Sequence, residues 1–223
     1  MPRHLPPLYH HVLLIVALDD EEEDGKGLLV CVEGAEAALS RADCDVLRKL
    51  LDREWRALLL LSERPQAADF KLQLSFAELA QHIGQTSAQR LAALARGSFN
   101  KILLRRCDAD TDKSQHGAGT IGKAMCIGFH LDVSQQVLQV ALNDDCEYSG
   151  GRLIFLTAAG NGNGNGNGDG KEGKLLVPKR AAGSYTLHNR YIVHGVSEHR
   201  AGLRYGLFFI QERMNRVGIE YDQ

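Results

Sequence analysis

Lys101-Ile102-Leu103-Leu104-Arg105-Arg106-Cys107 is where the chain changes its period. Upstream, between residues 41 and 95, apolar side chains recur at the spacing of helices. From residue 101 onward the apolar runs are short and extended, over 101–107, 124–129, 136–142, 152–156, 174–177, 184–187, 191–193 and 203–210. Each run is rich in Val, Ile, Leu, Phe or Tyr and is bounded by turn-forming residues, the pattern of a sandwich or barrel. The helices form a block ahead of the strands instead of alternating with them, which argues against a doubly wound α/β sheet. The expected class is mainly β with N-terminal helices.

The helical block has its own punctuation. Ser40-Arg41-Ala42-Asp43 reads as a capping box with Asp in the third place. Behind it Val46, Leu47, Leu50, Leu51, Trp55 and Leu58 form an apolar stripe, predicting a helix over 41–61 with Trp55 in the core. Ser75 caps a short helix through His82, which Gly84 ends. A third helix is expected over 87–95. Residues 12–18 and 28–32 read as two strands flanking an acidic, Gly-containing loop over 19–27.

Composition bounds the function. The chain has 223 residues, 44% hydrophobic and 24% charged, enough for one domain with a real core. Its net charge of −2 offers no phosphate-binding surface, so a nucleic-acid substrate is disfavoured. Five cysteines, an odd number without a C-x-x-C, fit reduced thiols and a cytoplasmic or nuclear location. No apolar run has the ~20 residues of a membrane span, and residues 12–18 run straight into an acidic segment without a cleavage pattern. Residues 160–170 are almost wholly Gly and Asn and read as a flexible insertion. Gly117-Ala118-Gly119-Thr120-Ile121-Gly122 matches G-x-G-x-x-G, but a polar loop precedes it and a strand follows, the wrong setting for a dinucleotide fingerprint.

The chemistry concentrates in His130-Leu131-Asp132 and His194-Gly195-Val196. On an extended chain residues i and i+2 share a face, so His130 and Asp132 can converge on one ion. Two imidazoles and one carboxylate are the facial ligand set of non-haem Fe(II), which leaves positions open for substrate and oxygen. The run 191–193 is expected to be the strand that delivers His194. Arg204 follows at the start of the last long strand, and Arg200 lies before it in the polar turn 197–200. Cys126 is expected to be a small core residue on the strand that carries His130. His188 and His199 are expected at the surface or as hydrogen-bonded supports of the ligands.

In order and spacing, His130-Leu131-Asp132, Val140-Ala141-Leu142-Asn143, Ser149-Gly150-Gly151-Arg152, Val177-Pro178 with Gly183-Ser184, His194-Gly195-Val196 and Gly202-Leu203-Arg204-Tyr205 resemble the core of the Fe(II)/2-oxoglutarate-dependent dioxygenases, and within them the prolyl 4-hydroxylase-like branch. The resemblance implies a double-stranded β-helix, or jelly roll, over 100–212, supported by residues 1–99 within one domain spanning 1–223. It implies that His130, Asp132 and His194 bind Fe(II) and that Arg204 pairs with the distal carboxylate of 2-oxoglutarate, which a guanidinium fork grips bidentately, with Arg200, in a polar turn, the less favoured anchor, O2 as oxidant and ascorbate a candidate accessory. Where the branch commonly has a tyrosine assisting the cosubstrate this chain has Thr120, leaving Arg105, Gln139 and Tyr191 as candidates for that task. The implied reaction is hydroxylation of a C–H bond with release of succinate and CO2. A protein or peptide side chain, prolyl first, is the expected substrate. The alternatives are a nucleic-acid hydroxylase or demethylase, and an inactive jelly-roll binding module.

Overall fold

A computed structural model describes residues 27–32, 37–61, 68–97, 99–109, 126–157 and 174–212. The expected strand over 12–18, the 160–170 insertion, the G-x-G-x-x-G segment and Thr120 lie outside them. The described elements are, in order, β1 (Leu29–Val32), α1 (Arg41–Leu61), β2 (Asp69–Leu74), α2 (Phe76–Ile83), α3 (Gln85–Leu94), β3 (Lys101–Asp108), β4 (Ile127–His130), β5 (Gln136–Ala141), β6 (Tyr148–Gly150), β7 (Leu153–Thr157), β8 (Lys174–Leu176), β9 (Tyr185–Asn189), β10 (His194–Val196) and β11 (His199–Gln211).

The strands form two antiparallel sheets. The larger runs β1-β9-β5-β11-β3-β2, with β6 paired to β11; the smaller runs β4-β10-β7-β8. Consecutive strands from β3 onward largely alternate between the two sheets, which is the winding of a jelly roll. Leu29 and Cys31 of β1 share an apolar cluster with Leu153 and Phe155 of β7 and with Ile192, so the sheets face each other across an interior.

The large sheet has two different faces. Leu138 and Val140 of β5, Leu104 of β3, and Tyr205, Leu207 and Phe209 of β11 join Leu47, Leu50 and Leu51 of α1, Leu79 of α2 and Leu91 of α3 in the main core. Burying each such leucine contributes about 1.5–3 kcal/mol. By alternation, Gln139, Arg204, Gly206, His188 and Thr186 project into the barrel. An aliphatic helix-facing set and a polar inward-facing set on the same strands are what position the site.

The caps are as the sequence predicts. Asp43 N–H donates to Ser40 Oγ at 3.1 Å, and Ser75 with Glu78 closes a full capping box. Gly84, at φ 82°, ends α2 and also begins α3, because Ala88 N–H reaches back to Gly84 O at 3.1 Å. The third helix therefore starts at Gln85, two residues before the expected position.

Five expectations are corrected. The stripe of α1 is rotated: Cys44, Leu47, Leu50 and Leu51 are buried, whereas Val46 and Leu58 are about two-fifths exposed. Trp55 is only half-buried, with the Arg106 guanidinium 4.0 Å above its ring. Residues 191–193 are a turn, not a strand, because Tyr191 N–H donates to Asn189 Oδ1 and Ile192 N–H to Asn189 O. Local Asn turn bonding outweighs the β propensity of Ile192 and Val193, and His194 itself opens β10. Cys126 is exposed and precedes β4. The polar segment from His199 is strand, because it pairs with the three-residue β6, which is too short to leave a periodicity in the sequence.

Candidate functional site

β4 ends on His130 and β10 begins on His194, and the two residues are register partners across the antiparallel pair. Their ring centroids lie 4.5 Å apart. Past the end of β4 the chain turns Asp132 toward both rings: His130 Nε2 is 3.5 Å from Asp132 Oδ1, and His194 Nε2 is 3.7 Å from Asp132 Oδ2. One ligand atom from each of the three residues falls within 4.8 Å of the others.

Backbone carbonyls set the tautomers. His130 Nδ1–H donates to Gly128 O at 2.8 Å and His194 Nδ1–H to Ile192 O at 3.1 Å. Both Nε2 lone pairs are thereby left facing the carboxylate, as a divalent cation requires. Burial, then the neighbouring His188, pushes His194 below the ordinary imidazole value, which keeps it neutral and able to coordinate. Burial tends to raise the Asp132 carboxyl, but a hydrogen bond from His188 and the fields of the three imidazoles hold it below the usual carboxylate range. The donor set, its spacing and the Nδ1 hydrogen bonds of its two imidazoles fit a non-haem metal.

His188 is a residue whose place the sequence left open between surface and support. It is buried on β9, and its Nε2 donates to Asp132 Oδ2 at 3.1 Å while its ring packs 4.4 Å from that of His194. Alternation along β9 could have pointed it inward, but the sequence carried no sign of its partner.

Deeper in the barrel sits a second feature. Arg204 of β11 is buried, beside Gln139 of β5. With its amide oxygen turned inward, Gln139 accepts from Arg204 Nη2 and from Arg180 Nη1, both at 3.1 Å. Arg180, in the segment between β8 and β9, was not singled out by the sequence, where Pro178-Lys179-Arg180 reads as a solvated basic turn. Burial and the neighbouring Arg204 lower its guanidinium to about 10. Its Nε and the Oγ1 of Thr186, which lies across from Gln139 in register, are buried without a hydrogen-bond partner among the described residues. Two buried cations and unpartnered donors form a cradle that a carboxylate completes, so the residues fit a dicarboxylate cosubstrate as well as a metal.

The remaining candidates lie as follows. Arg105 is held by Asp69 at 2.6 and 3.0 Å and lines a small cavity with Gln139 and Arg204. Tyr191 sits in the turn before β10 with the Arg190 guanidinium 4.8 Å above its ring. Arg200 is on β11 rather than in a turn, solvent-exposed and paired with Glu198 at 3.1 Å. His199 is buried with its ring edge-on to Tyr148.

No family model matches the chain and no curated protein matches its sequence. Solved structures do match in fold. AviO1 from Streptomyces viridochromogenes Tue57 superposes with a TM-score of 0.52 at 15% identity over 82% of this chain and 88% of its own. SnoN, a non-haem alpha-ketoglutarate-dependent epimerase from nogalamycin biosynthesis, gives 0.50 at 16% identity over 87% and 88%. HygX from Streptomyces hygroscopicus, solved with nickel and 2-oxoglutarate bound, gives 0.50 at 13% over 82% and 81%. The fold is thus one shared with non-haem, 2-oxoglutarate-binding proteins.

Proposed function

We propose that the chain is an Fe(II)- and 2-oxoglutarate-dependent dioxygenase that hydroxylates a C–H bond. The observation that carries this reading is the pairing, inside one barrel, of a two-histidine, one-carboxylate cluster with a buried arginine that has no carboxylate partner among the described residues. Thr186 and His188 are two residues apart on β9, so the arginine level and the ligand level differ by about 7 Å of strand rise. A five-carbon diacid bridges such a gap, with its distal carboxylate on Arg204 and its keto acid toward the cluster.

Iron(II) and 2-oxoglutarate, when bound, supply oxidation of the substrate with release of succinate and CO2. The chain's own share is orientation. Gly128 O and Ile192 O fix the two imidazoles, His188 fixes the carboxylate, and Arg204 fixes the cosubstrate end remote from the metal. Asp132 would supply the carboxylate ligand where a halide would otherwise bind, which favours hydroxyl transfer.

The substrate in this reading is a protein side chain, prolyl first. Support comes from the sequence resemblance and from the rim of the site. Phe129, Leu131 and Val133 flank the two ligands and are exposed, and an extended peptide can cover them. The test is succinate formation from 2-oxoglutarate by the Fe(II)-loaded protein, alone and with proline-containing peptides. Succinate that rises with peptide is expected. No metal-dependent succinate under any condition would leave the inactive binding module as the correct description.

A further inference from the structure

We propose that Arg180 is a second guanidinium on the cosubstrate's distal carboxylate, making the inner end of the barrel a two-arginine dicarboxylate site that works without metal. This rests on the proposed 2-oxoglutarate reading and adds a residue to it. Arg180 is 4% exposed and Arg204 8%, and they share the single acceptor Gln139 Oε1 at 3.1 Å each. Placing two like charges side by side under cover is costly unless an anion joins them. Asp145 is the carboxylate whose field reaches Arg180. It accepts from the Arg180 backbone N–H at 3.2 Å and forms its ion pair with Arg152 instead. The Arg180 side chain therefore keeps its charge directed at the pocket, with Nε unpartnered among the described residues and Thr186 Oγ1 available as a hydroxyl donor.

Burial reaches Arg180 from several directions. Cys31, Tyr148 and Asp145 are the groups besides Arg204 whose fields it feels. Of these only Asp145 is a carboxylate, so among the described residues two guanidiniums outnumber the fixed anions around Arg180. A 2-oxo acid with a distal carboxylate is the ligand class this favours. A 2-oxo monoacid such as pyruvate leaves both arginines bare.

Glutarate separates the two ends of the site, because it has the distal carboxylate but no keto group with which to chelate. Calorimetry on the metal-free protein in a chelator should show glutarate binding to wild type. Arg180→Met should weaken it about tenfold or more, as loss of a charge-assisted bond does, and Arg204→Met should weaken it comparably. Arg180→Lys should recover part of the loss. Without ligand, Arg180→Met should melt at or above the wild-type temperature, since it removes an uncompensated buried charge. A residue that merely holds the loop would melt lower instead. Glutarate affinity of Arg180→Met within twofold of wild type would overturn the assignment. If wild type binds 2-oxoglutarate with metal but not glutarate without it, the metal-independent site falls and the dioxygenase reading stands. If wild type binds neither, the dioxygenase reading falls with it.

Discussion

His188 Nε2 donates a hydrogen bond to Asp132 Oδ2 at 3.1 Å, so the carboxylate of the cluster is aimed by a histidine that is itself shut away from solvent. Asp132 lies past the end of β4, without a strand to fix it, and burial of His188 on β9 substitutes for that support. Hydrogen-bonded supports of this kind are commonly worth 10–100-fold in metal affinity. His188→Phe should therefore weaken Fe(II) or Mn(II) binding by about that factor, while His188→Gln, whose amide can donate to the same oxygen, should recover part of it. Equal metal affinity in all three proteins would show that Asp132 is aimed by something else.

The ligand cluster and the arginine are separable by binding alone. His130→Ala removes one of the three donors and should abolish metal retention, with 2-oxoglutarate turnover lost as well. Arg204→Ala leaves all three donors in place and should retain metal while losing cosubstrate affinity. Metal content of the purified proteins, with calorimetric 2-oxoglutarate binding in the presence of Mn(II), distinguishes these outcomes. A His130→Ala protein that holds metal as wild type does would remove His130 from the ligand set.

Much of the fold was legible because it rests on local signals. Ser40 with Asp43 and Ser75 with Glu78 announce helix starts, and the barrel strands stand out as short apolar runs bounded by turn residues. His130 and Asp132 were readable as a pair because two residues on an extended chain share a face. What stayed hidden depends on partners far away in sequence. Arg180 looks solvated in its own neighbourhood and is buried only because β5 and β11 bring Gln139 and Arg204 to it. The strand character of His199 and Arg200 comes from β6, some fifty residues upstream. The turn at 189–193 was readable in principle from Asn189, but the apolar run behind it gave the stronger strand signal.

On the helix-covered face, Tyr205 Oη donates to Asp52 Oδ1 at 2.8 Å, and Arg106 Nε donates to the same oxygen at 3.1 Å. Burial and this bond to a carboxylate push the Tyr205 hydroxyl up to about 12. Its folded value lies above the unfolded one, so the stabilisation is whole below about pH 10 and disappears as pH rises through 12. Tyr205→Phe should cost about 1.5–3 kcal/mol at pH 7, as loss of a bond to a charged group does. Urea unfolding of both proteins at pH 7, 9 and 11 should give a constant difference at the first two and a smaller one at the third. A difference that grows with pH would contradict this origin.

Gly195, between His194 of the candidate cluster and Val196, bears on metal binding without offering a ligand of its own. A Cβ placed there would lie 2.8 Å from Ile127 O, 3.3 Å from Gly128 C and 3.3 Å from Phe129 N. All three are backbone atoms of β4, the strand that carries His130, so no flexible side chain can move aside to make room. Gly195→Ala must therefore push β10 away from β4 or twist the pair, and overpacking of this kind costs about 1–3 kcal/mol. The same displacement separates His130 from His194, whose Nε2 atoms must stay within reach of one ion. Thermal unfolding should show the loss of stability in the metal-free protein. Metal titration should show a fall in affinity although all three ligands are intact. A variant that loses stability yet binds metal as wild type does would mean the strands yield elsewhere and the spacing of β4 and β10 does not set the geometry of the centre.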